Sequence, residues 1–132
     1  MDRRTFLLAL GSAALVPALP DAAEAASWSR LGVARVNGRL DREIIPVGRS
    51  RGTFRQIRLR VRDNDLLLLD IVVRYGNGTV ERFSVGRLIR RGSYTRTFDL
   101  RGRDRSIREI YFTYSRFTDR RGSTSVEAWG RR

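Results

Sequence analysis

Three arginines at alternating positions are the first residues whose type and spacing suggest chemistry. Arg58, Arg60 and Arg62 are separated by Leu59 and Val61. Because successive side chains of a β-strand point to opposite faces, this pattern places all three guanidinium groups on one face, with neighbours about 7 Å apart. A guanidinium offers planar two-point contacts to phosphate, sulfate or carboxylate. The row therefore predicts either an anion-binding surface or a solvated outer face whose charges keep the sheet soluble.

A second arginine group occupies an expected loop. Arg101, Arg103 and Arg105 lie within six residues of Asp99 and Asp104. One interpretation is an anion-binding loop. The other is structural: Arg105 pairs with a carboxylate and holds the loop against the edge of the fold. These two groups, on the strand and in the loop, are the candidate binding residues.

The composition excludes several chemistries. The chain contains no His and no Cys, and all 27 basic residues are arginine. Ser-His-Asp and Cys-His arrangements, Schiff bases, and zinc or copper sites built from imidazole and thiolate are therefore absent. Most carboxylates lie beside arginine, which favours their ionised form over a raised-pKa acid. Asp63-Asn64-Asp65 is better explained as a turn than as a calcium loop. We therefore expect that the protein is not an enzyme and that it binds no metal and no cofactor.

The charge balance indicates the class of partner. Against 27 basic residues stand 14 acidic ones, giving a formal net charge of +13. A field of this sign attracts nucleic acid, anionic lipid head groups and acidic polysaccharides. The absence of lysine also fits a coding bias toward arginine, so the excess alone does not prove selection. The expected partners are an anionic glycan, a lipid head group or an envelope protein, rather than a specific nucleic-acid site.

Residues 1–25 have the features of a signal peptide. A short basic start is followed by an apolar stretch and then by small residues that suit cleavage after Ala25. The paired Arg3 and Arg4, with Phe-Leu shortly after, resemble a twin-arginine signal, although ordinary secretion stays open. The apolar stretch is too short to span a bilayer. We therefore expect a periplasmic or secreted protein whose mature domain, 26–132, has no transmembrane segment.

The mature chain alternates short apolar runs with glycine-containing turns, which is typical of an antiparallel β-sandwich. We expect eight strands, at 28–36, 43–47, 54–62, 66–75, 79–85, 93–100, 107–117 and 124–129. The run 66–75 is apolar on both faces, so it should lie centrally in a sheet. A bulge is expected near Arg55, and a hairpin at Gly76-Asn77-Gly78.

Four aromatic residues could stack on sugars or bases, but at strand spacing they are more often core residues. They are Tyr94, Tyr111, Tyr114 and Trp129. The expected strand 93–100 places Tyr94 on the face opposite Thr95. We favour the core interpretation for all four.

Several segments together resemble a known group of proteins. They are Leu31-Gly32, 41–47, 52–61, 73–78, Gly92, 99–107, 112–114 and 126–130. The most specific is the pattern Asp-Leu-x-Gly-x-x-Arg-x-Ile that begins at Asp99. The chain thereby resembles the YaaI-like periplasmic domains, small exported bacterial proteins of unknown function. The resemblance implies a β-sandwich and a periplasmic location, and it brings no activity, ligand or site. The chain departs from that group in its lack of cysteine and its heavy arginine content.

Taken together, the sequence predicts a non-catalytic periplasmic binding or accessory module for an anionic envelope component. The alternative is a structural protein-interaction module of an envelope complex. A carbohydrate enzyme that uses two carboxylates is a third, weaker class.

Overall fold

The computed structural model describes residues 27–36, 42–115 and 123–132. The predicted signal segment 1–25 and its cleavage site at Ala25 lie outside the described residues. Within them a short 3-10 helix spans Arg49–Arg51. The strands are β1 (Trp28–Val36), β2 (Arg42–Pro46), β3 (Thr53–Phe54), β4 (Gln56–Arg62), β5 (Leu66–Tyr75), β6 (Val80–Ile89), β7 (Phe98–Asp99), β8 (Arg105–Ser115) and β9 (Thr124–Arg131).

These strands form two antiparallel sheets packed face to face, which confirms the predicted β-sandwich class. Sheet I has the order β1-β9-β4-β7, and sheet II has the order β2-β8-β5-β6 with β3 also paired to β8. Alternate residues of each sheet point inward and are buried in one shared core. β1 packs beside β2 along one side of the sandwich. β6 and β7 are therefore the edge strands of the opposite side, where Phe83 and Phe98 bring their ring centroids within 5.0 Å.

The most regular segments follow the sequence pattern closely. β1 and β5 have the predicted bounds, and β5 lies inside sheet II between β8 and β6. Gly76-Asn77-Gly78 connects β5 to β6, with Gly78 at a φ of +92° that favours glycine. β6 continues to Ile89, four residues beyond the predicted end of that strand.

The expected bulge near Arg55 is instead a change of sheet. β3 pairs with β8 in sheet II, whereas β4 pairs with β9 and β7 in sheet I, so the chain crosses the sandwich at Arg55. The buried ring of Phe54 packs against the backbone of Gly130, where an added Cβ would lie 2.8 Å from Phe54 Cδ1. Phe54 is thus held in the core at the point where the chain leaves sheet II for sheet I.

The predicted strand 93–100 is mostly irregular. At its start Thr95 is buried and Tyr94 is exposed, the reverse of the prediction. Only β7 and an isolated bridge between Arg60 and Tyr94 are strand-like among its described residues. Thr95 is buried, and its Oγ1 accepts a hydrogen bond from Leu59 N at 3.0 Å while donating to Arg96 O at 2.8 Å. A side chain thus replaces part of the backbone ladder beside β4. As a result Tyr94 is 36% exposed and is not a core residue, contrary to the prediction.

Candidate anion-binding site

The predicted row on β4 does lie on the outer face of sheet I, but its members have different surroundings. Arg58, Arg60 and Arg62 alternate with fully buried residues along the strand. Arg62 Nη1 lies 3.3 Å from Glu127 Oε2, and Arg30 Nη1 lies at the same distance from that oxygen. Glu127 is only 3% exposed. Its carboxylate already neutralises Arg62, so Arg62 is a poor candidate for contact with a ligand.

The other two arginines of the row gather around Tyr94. The guanidinium carbon of Arg58 lies 4.2 Å from the centroid of Trp28 and 3.9 Å from that of Tyr94. Arg60 lies 5.3 Å from the Tyr94 centroid and donates from Nε to Gly92 O at 3.4 Å. Such cation–π contacts are favourable and hold a guanidinium without neutralising its charge. Arg58 and Arg60 therefore carry their charge to the edge of sheet I.

A groove with a volume of about 430 Å³ lies next to Tyr94. It forms because the chain leaves β6, turns at Arg90–Ser93, and then runs along the edge of β4. Ser93 N donates to Arg90 O at 2.9 Å, and Gly92 sits at a φ of +82° within this turn. The groove lies between the end of β6 and residues 93–96. We call it the arginine groove, because Arg87, Arg90 and Arg96 line it.

The arginine groove is strongly cationic. Arg96 donates from Nη2 to Ser84 O at 3.0 Å and stacks on Phe98 at 4.2 Å. Arg87 and Arg90 are exposed, and among the described residues neither side chain has a hydrogen bond or an ion pair. Among the residues that the structure describes, no carboxylate lines the groove. These guanidinium groups are therefore available to an anion.

Sequence reasoning missed these three arginines. Arg87 belongs to β6, Arg90 to the turn that follows it and Arg96 to the segment after that turn, so the fold is needed to bring them together. A usable signal was present in Arg87, Arg90 and Arg91, which accumulate immediately before Gly92. Several arginines close to a turn indicate that the turn is exposed to solvent and positively charged.

The loop arginines lie at the opposite end of β6, and Arg105 has a structural role. Its guanidinium lies 3.8 Å from the Tyr75 ring centroid, and it donates to Arg101 O at 2.6 Å and Thr79 Oγ1 at 3.3 Å. Arg105 thus holds the loop against the fold through a carbonyl and a hydroxyl rather than the expected carboxylate. Arg101 and Arg103 remain exposed, and Arg103 has a φ of +68°.

A second hollow, with a volume of about 340 Å³, opens beside this loop. It is lined by Tyr75, Gly76, Asn77, Arg105 and Ser106, so it lies at the hairpin end of β6. We call it the hairpin hollow. The candidate residues on β4 and in the loop are therefore not brought into one site. Of these six described arginines, Arg105 lines the hairpin hollow and none lines the arginine groove.

Glu81 links the loop to the core. Tyr75 donates its hydroxyl hydrogen to Glu81 Oε1, and the same oxygen accepts from Arg101 N at 2.9 Å. Burial of Tyr75, reinforced by the hydrogen bond to the Glu81 carboxylate, raises the pKa of Tyr75 well above its usual range. Tyr75 is therefore kept neutral in the folded protein at a pH where it ionises in the unfolded chain.

This shift predicts an alkaline loss of stability. An unfolded tyrosine releases its proton near a pH of about 10, so the stabilisation is complete below that pH and is lost as the pH rises further. The chain has no lysine to titrate in the same range.

Y75F should lower the free energy of unfolding by about 1 kcal/mol at neutral pH, because the hydrogen bond to Glu81 is lost. Above pH 10 the stability of Y75F should fall less steeply with pH than that of the unmodified chain. Urea unfolding across alkaline pH measures both effects. Equal alkaline slopes for Y75F and the unmodified chain would contradict this assignment. Some slope should persist, because the hydrogen bond to Glu109 also raises the pKa of Tyr111.

The other chemistry-bearing residues serve the fold. Asp63 and Asp65 lie in the predicted turn, but the side-chain bonds described for them reach distant segments: Asp65 Oδ1 accepts from Arg91 N at 2.8 Å, and Asp63 Oδ2 accepts from Ser125 Oγ at 3.3 Å. In the described ranges, no three His, Cys, Asp or Glu side chains are grouped so that they could hold a metal. The described residues also include no helix that is long and apolar enough to cross a membrane.

The aromatic residues divide between the core and the two outer faces. Tyr114 is buried, as predicted. Trp129 and Tyr111 are half-buried on the outer faces of sheets I and II, so the core interpretation is wrong for them as it is for Tyr94. Trp129 contacts Tyr94 edge to face, with centroids 6.4 Å apart.

The described part of the chain is thus a two-sheet antiparallel β-domain with a cationic groove at one edge. The chain belongs to the family described as Domain of unknown function (DUF2541), whose model matches residues 6–130. This agrees with the expectation of a family of unknown function, while the narrower likeness to YaaI-like periplasmic domains stays a prediction. No curated protein sequence matches the chain.

Two solved structures are similar to the domain. AlgX of Pseudomonas aeruginosa aligns with a TM-score of 0.53 and 15% identity, over 79% of this chain and 26% of that one. The chain therefore corresponds to about a quarter of AlgX. The SPBc2 prophage-derived protein YomS aligns with a TM-score of 0.41 and 16% identity, over 78% of this chain and 89% of that one. At this identity the AlgX likeness shows a shared fold alone.

Proposed function

We propose that the protein is an exported, non-catalytic module whose arginine groove binds an anionic component of the cell envelope. The observation that carries this proposal is the convergence of Arg87, Arg90 and Arg96 on a groove whose described lining residues include no carboxylate. Free guanidinium groups can engage carboxylate, sulfate or phosphate by two parallel hydrogen bonds. The signal-like segment 1–25 supports export, and the net charge of +13 supports attraction of polyanions over a distance.

Binding of a sulfated glycan tests this function. The full chain is titrated calorimetrically with heparin and, as a matched neutral control, with dextran. The proposal predicts heparin binding that weakens steeply as salt rises. The protein's arginines displace cations that are condensed on heparin, and added salt opposes the release of these cations. The proposal predicts no dextran binding. Heparin binding that ignores salt, or that dextran matches, would remove the proposal.

The same titration has a distinctive pH dependence. With no histidine, cysteine or lysine in the chain, no basic side chain changes its charge between about pH 6 and 9. Heparin affinity should therefore be almost flat over this range. A drop of tenfold or more would show that another titrating group, and not arginine, controls binding.

A protein-interaction module is the second candidate, favoured by apolar residues on the outer face of sheet II. Ile44 is 50% exposed and pairs in register with Tyr111, which in turn pairs with Val72. Val80 is 55% exposed on β6, the strand next to β5. This candidate predicts that I44S and V80S abolish capture of an envelope protein and that heparin has no effect on it.

A further inference from the structure

The side of the sandwich that contains β6 and β7 carries an excess of arginine along its whole length. Between Val80 and Arg105 the chain has eight arginines and three carboxylates. All three carboxylates accept hydrogen bonds inside the fold. Glu81 binds the Tyr75 hydroxyl, Asp99 Oδ1 accepts from Gln56 Nε2 at 2.7 Å, and Asp104 pairs with Arg55 at 3.3 Å. Arg82 also pairs with Asp70 at 3.4 Å, and Arg101 Nε lies 4.0 Å from Glu81 Oε2. The uncompensated charge on this side therefore comes from the other six arginines of the segment.

The two depressions lie at opposite ends of one strand. The arginine groove includes Leu88, near the end of β6, and the hairpin hollow lies beside its start at Val80. At the rise of an extended strand, the eight residue steps between them span about 25 Å. Arg96 reaches Ser84 O, which lies between these two ends. Cationic groups thus occur at the beginning, middle and end of the β6 edge.

We infer that the arginine groove, Arg96 and the loop at the hairpin hollow form one continuous track that binds a linear anionic polysaccharide along β6. This inference rests on the proposed function and specifies its ligand. A single head group or free phosphate would fill only one depression. A linear polymer engages both, and the second contact becomes intramolecular once the first has formed.

The available aromatic surface favours a polysaccharide over single-stranded nucleic acid. Single-strand binders use a series of aromatic side chains on which successive bases stack. Among the described residues that line the two depressions, the aromatic ones are Tyr94 and Tyr75. Tyr94 is stacked by Arg58, and Tyr75 is buried and stacked by Arg105. The described lining residues thus offer one partly exposed ring, that of Tyr94, and not the series of rings that base stacking requires.

Ligand length tests the track. The full chain is titrated with heparin oligosaccharides graded from disaccharide to dodecasaccharide. Affinity should rise at least about tenfold over this series and level off once the oligosaccharide spans β6. Longer chains also gain a smaller statistical advantage from additional binding positions. R101Q/R103Q tests the far end of the track, because it removes charge there and leaves the arginine groove intact.

The outcomes separate the track from the proposed function. The track predicts that R101Q/R103Q and R87Q/R90Q each remove the increase of affinity with oligosaccharide length, apart from the small statistical increase. Thermal unfolding of both variants should be unchanged. If the disaccharide and dodecasaccharide bind equally, or if R101Q/R103Q keeps the full gain, the track is wrong although the arginine groove binds anions. Tighter binding of a single-stranded oligonucleotide of equal charge would also overturn it. If no oligosaccharide binds in a salt-sensitive way, the proposed function itself fails.

Discussion

Neutralising the arginine groove should weaken heparin binding roughly 30-fold at low salt. The variant R87Q/R90Q/R96Q removes three cations, and an exposed ionic contact contributes about 0.7 kcal/mol. The dependence of affinity on salt should also become shallower, because fewer anionic groups of the ligand are neutralised. Calorimetric titration at several salt concentrations measures both quantities. Arg87 and Arg90 are exposed, so any change in thermal unfolding should come from R96Q, which removes the hydrogen bond to Ser84 O and the contact with Phe98.

A second triple variant controls for net charge. R35Q/R42Q/R51Q removes the same number of exposed cations from β1, β2 and the 3-10 helix. β1 and β2 form the side of the sandwich away from β6. We expect a loss of heparin affinity below about threefold, through the weaker long-range field alone. Equal losses in the two triple variants would mean that bulk charge, and no particular groove, holds the ligand.

Replacing Glu127 with alanine should produce the largest loss of stability of any charge substitution in the described chain. The carboxylate lies beneath Arg30 and Arg62, and it also accepts from Trp129 Nε1 at 3.1 Å. E127A leaves two arginines facing each other without their shared anion and leaves the indole N–H without its acceptor. We expect a loss of about 2 to 3 kcal/mol, less than for a fully buried pair, because both arginine side chains are half-exposed.

Two further variants isolate the cause. E127Q keeps an acceptor for Trp129 but removes the ion pairs, so it should recover part of the loss. D104N removes a carboxylate from an exposed pair with Arg55 and should cost less than about 0.5 kcal/mol. Urea unfolding of the three variants supplies the comparison. An E127A value as small as that of D104N would show that the buried carboxylate contributes no more than a surface charge.

Local patterns predicted the regular strands well, because burial on one or both faces leaves a direct trace in the sequence. The alternation from Ile57 to Arg62 gave the outward row on β4, and the apolar run 66–75 gave the interior strand β5. The change of sheet at Arg55 was not predictable, because it depends on where Phe54 meets Gly130, a residue 76 positions away. The sequence shows only that the alternation is interrupted.

The proposed site lies elsewhere than the two arginine groups that the sequence singled out. The sequence pointed to arginine as the contact residue, yet the fold neutralises Arg62 with Glu127 and uses Arg105 to hold a loop. Both partners are distant in sequence, so composition could not reveal them. Tyr94 and Thr95 exchange their predicted faces because the Thr95 hydroxyl substitutes for a ladder partner of Leu59. That exchange builds the wall of the arginine groove.

The most direct test of the account is to observe which arginines contact the ligand. NMR spectra of the arginine Nε–Hε groups, recorded while the full chain is titrated with heparin dodecasaccharide, report this residue by residue. Binding in the arginine groove predicts large, saturable shifts at Arg87, Arg90 and Arg96, and little change at Arg35 and Arg42. Shifts of similar size at Arg35 and Arg42, or none in the arginine groove, would contradict it.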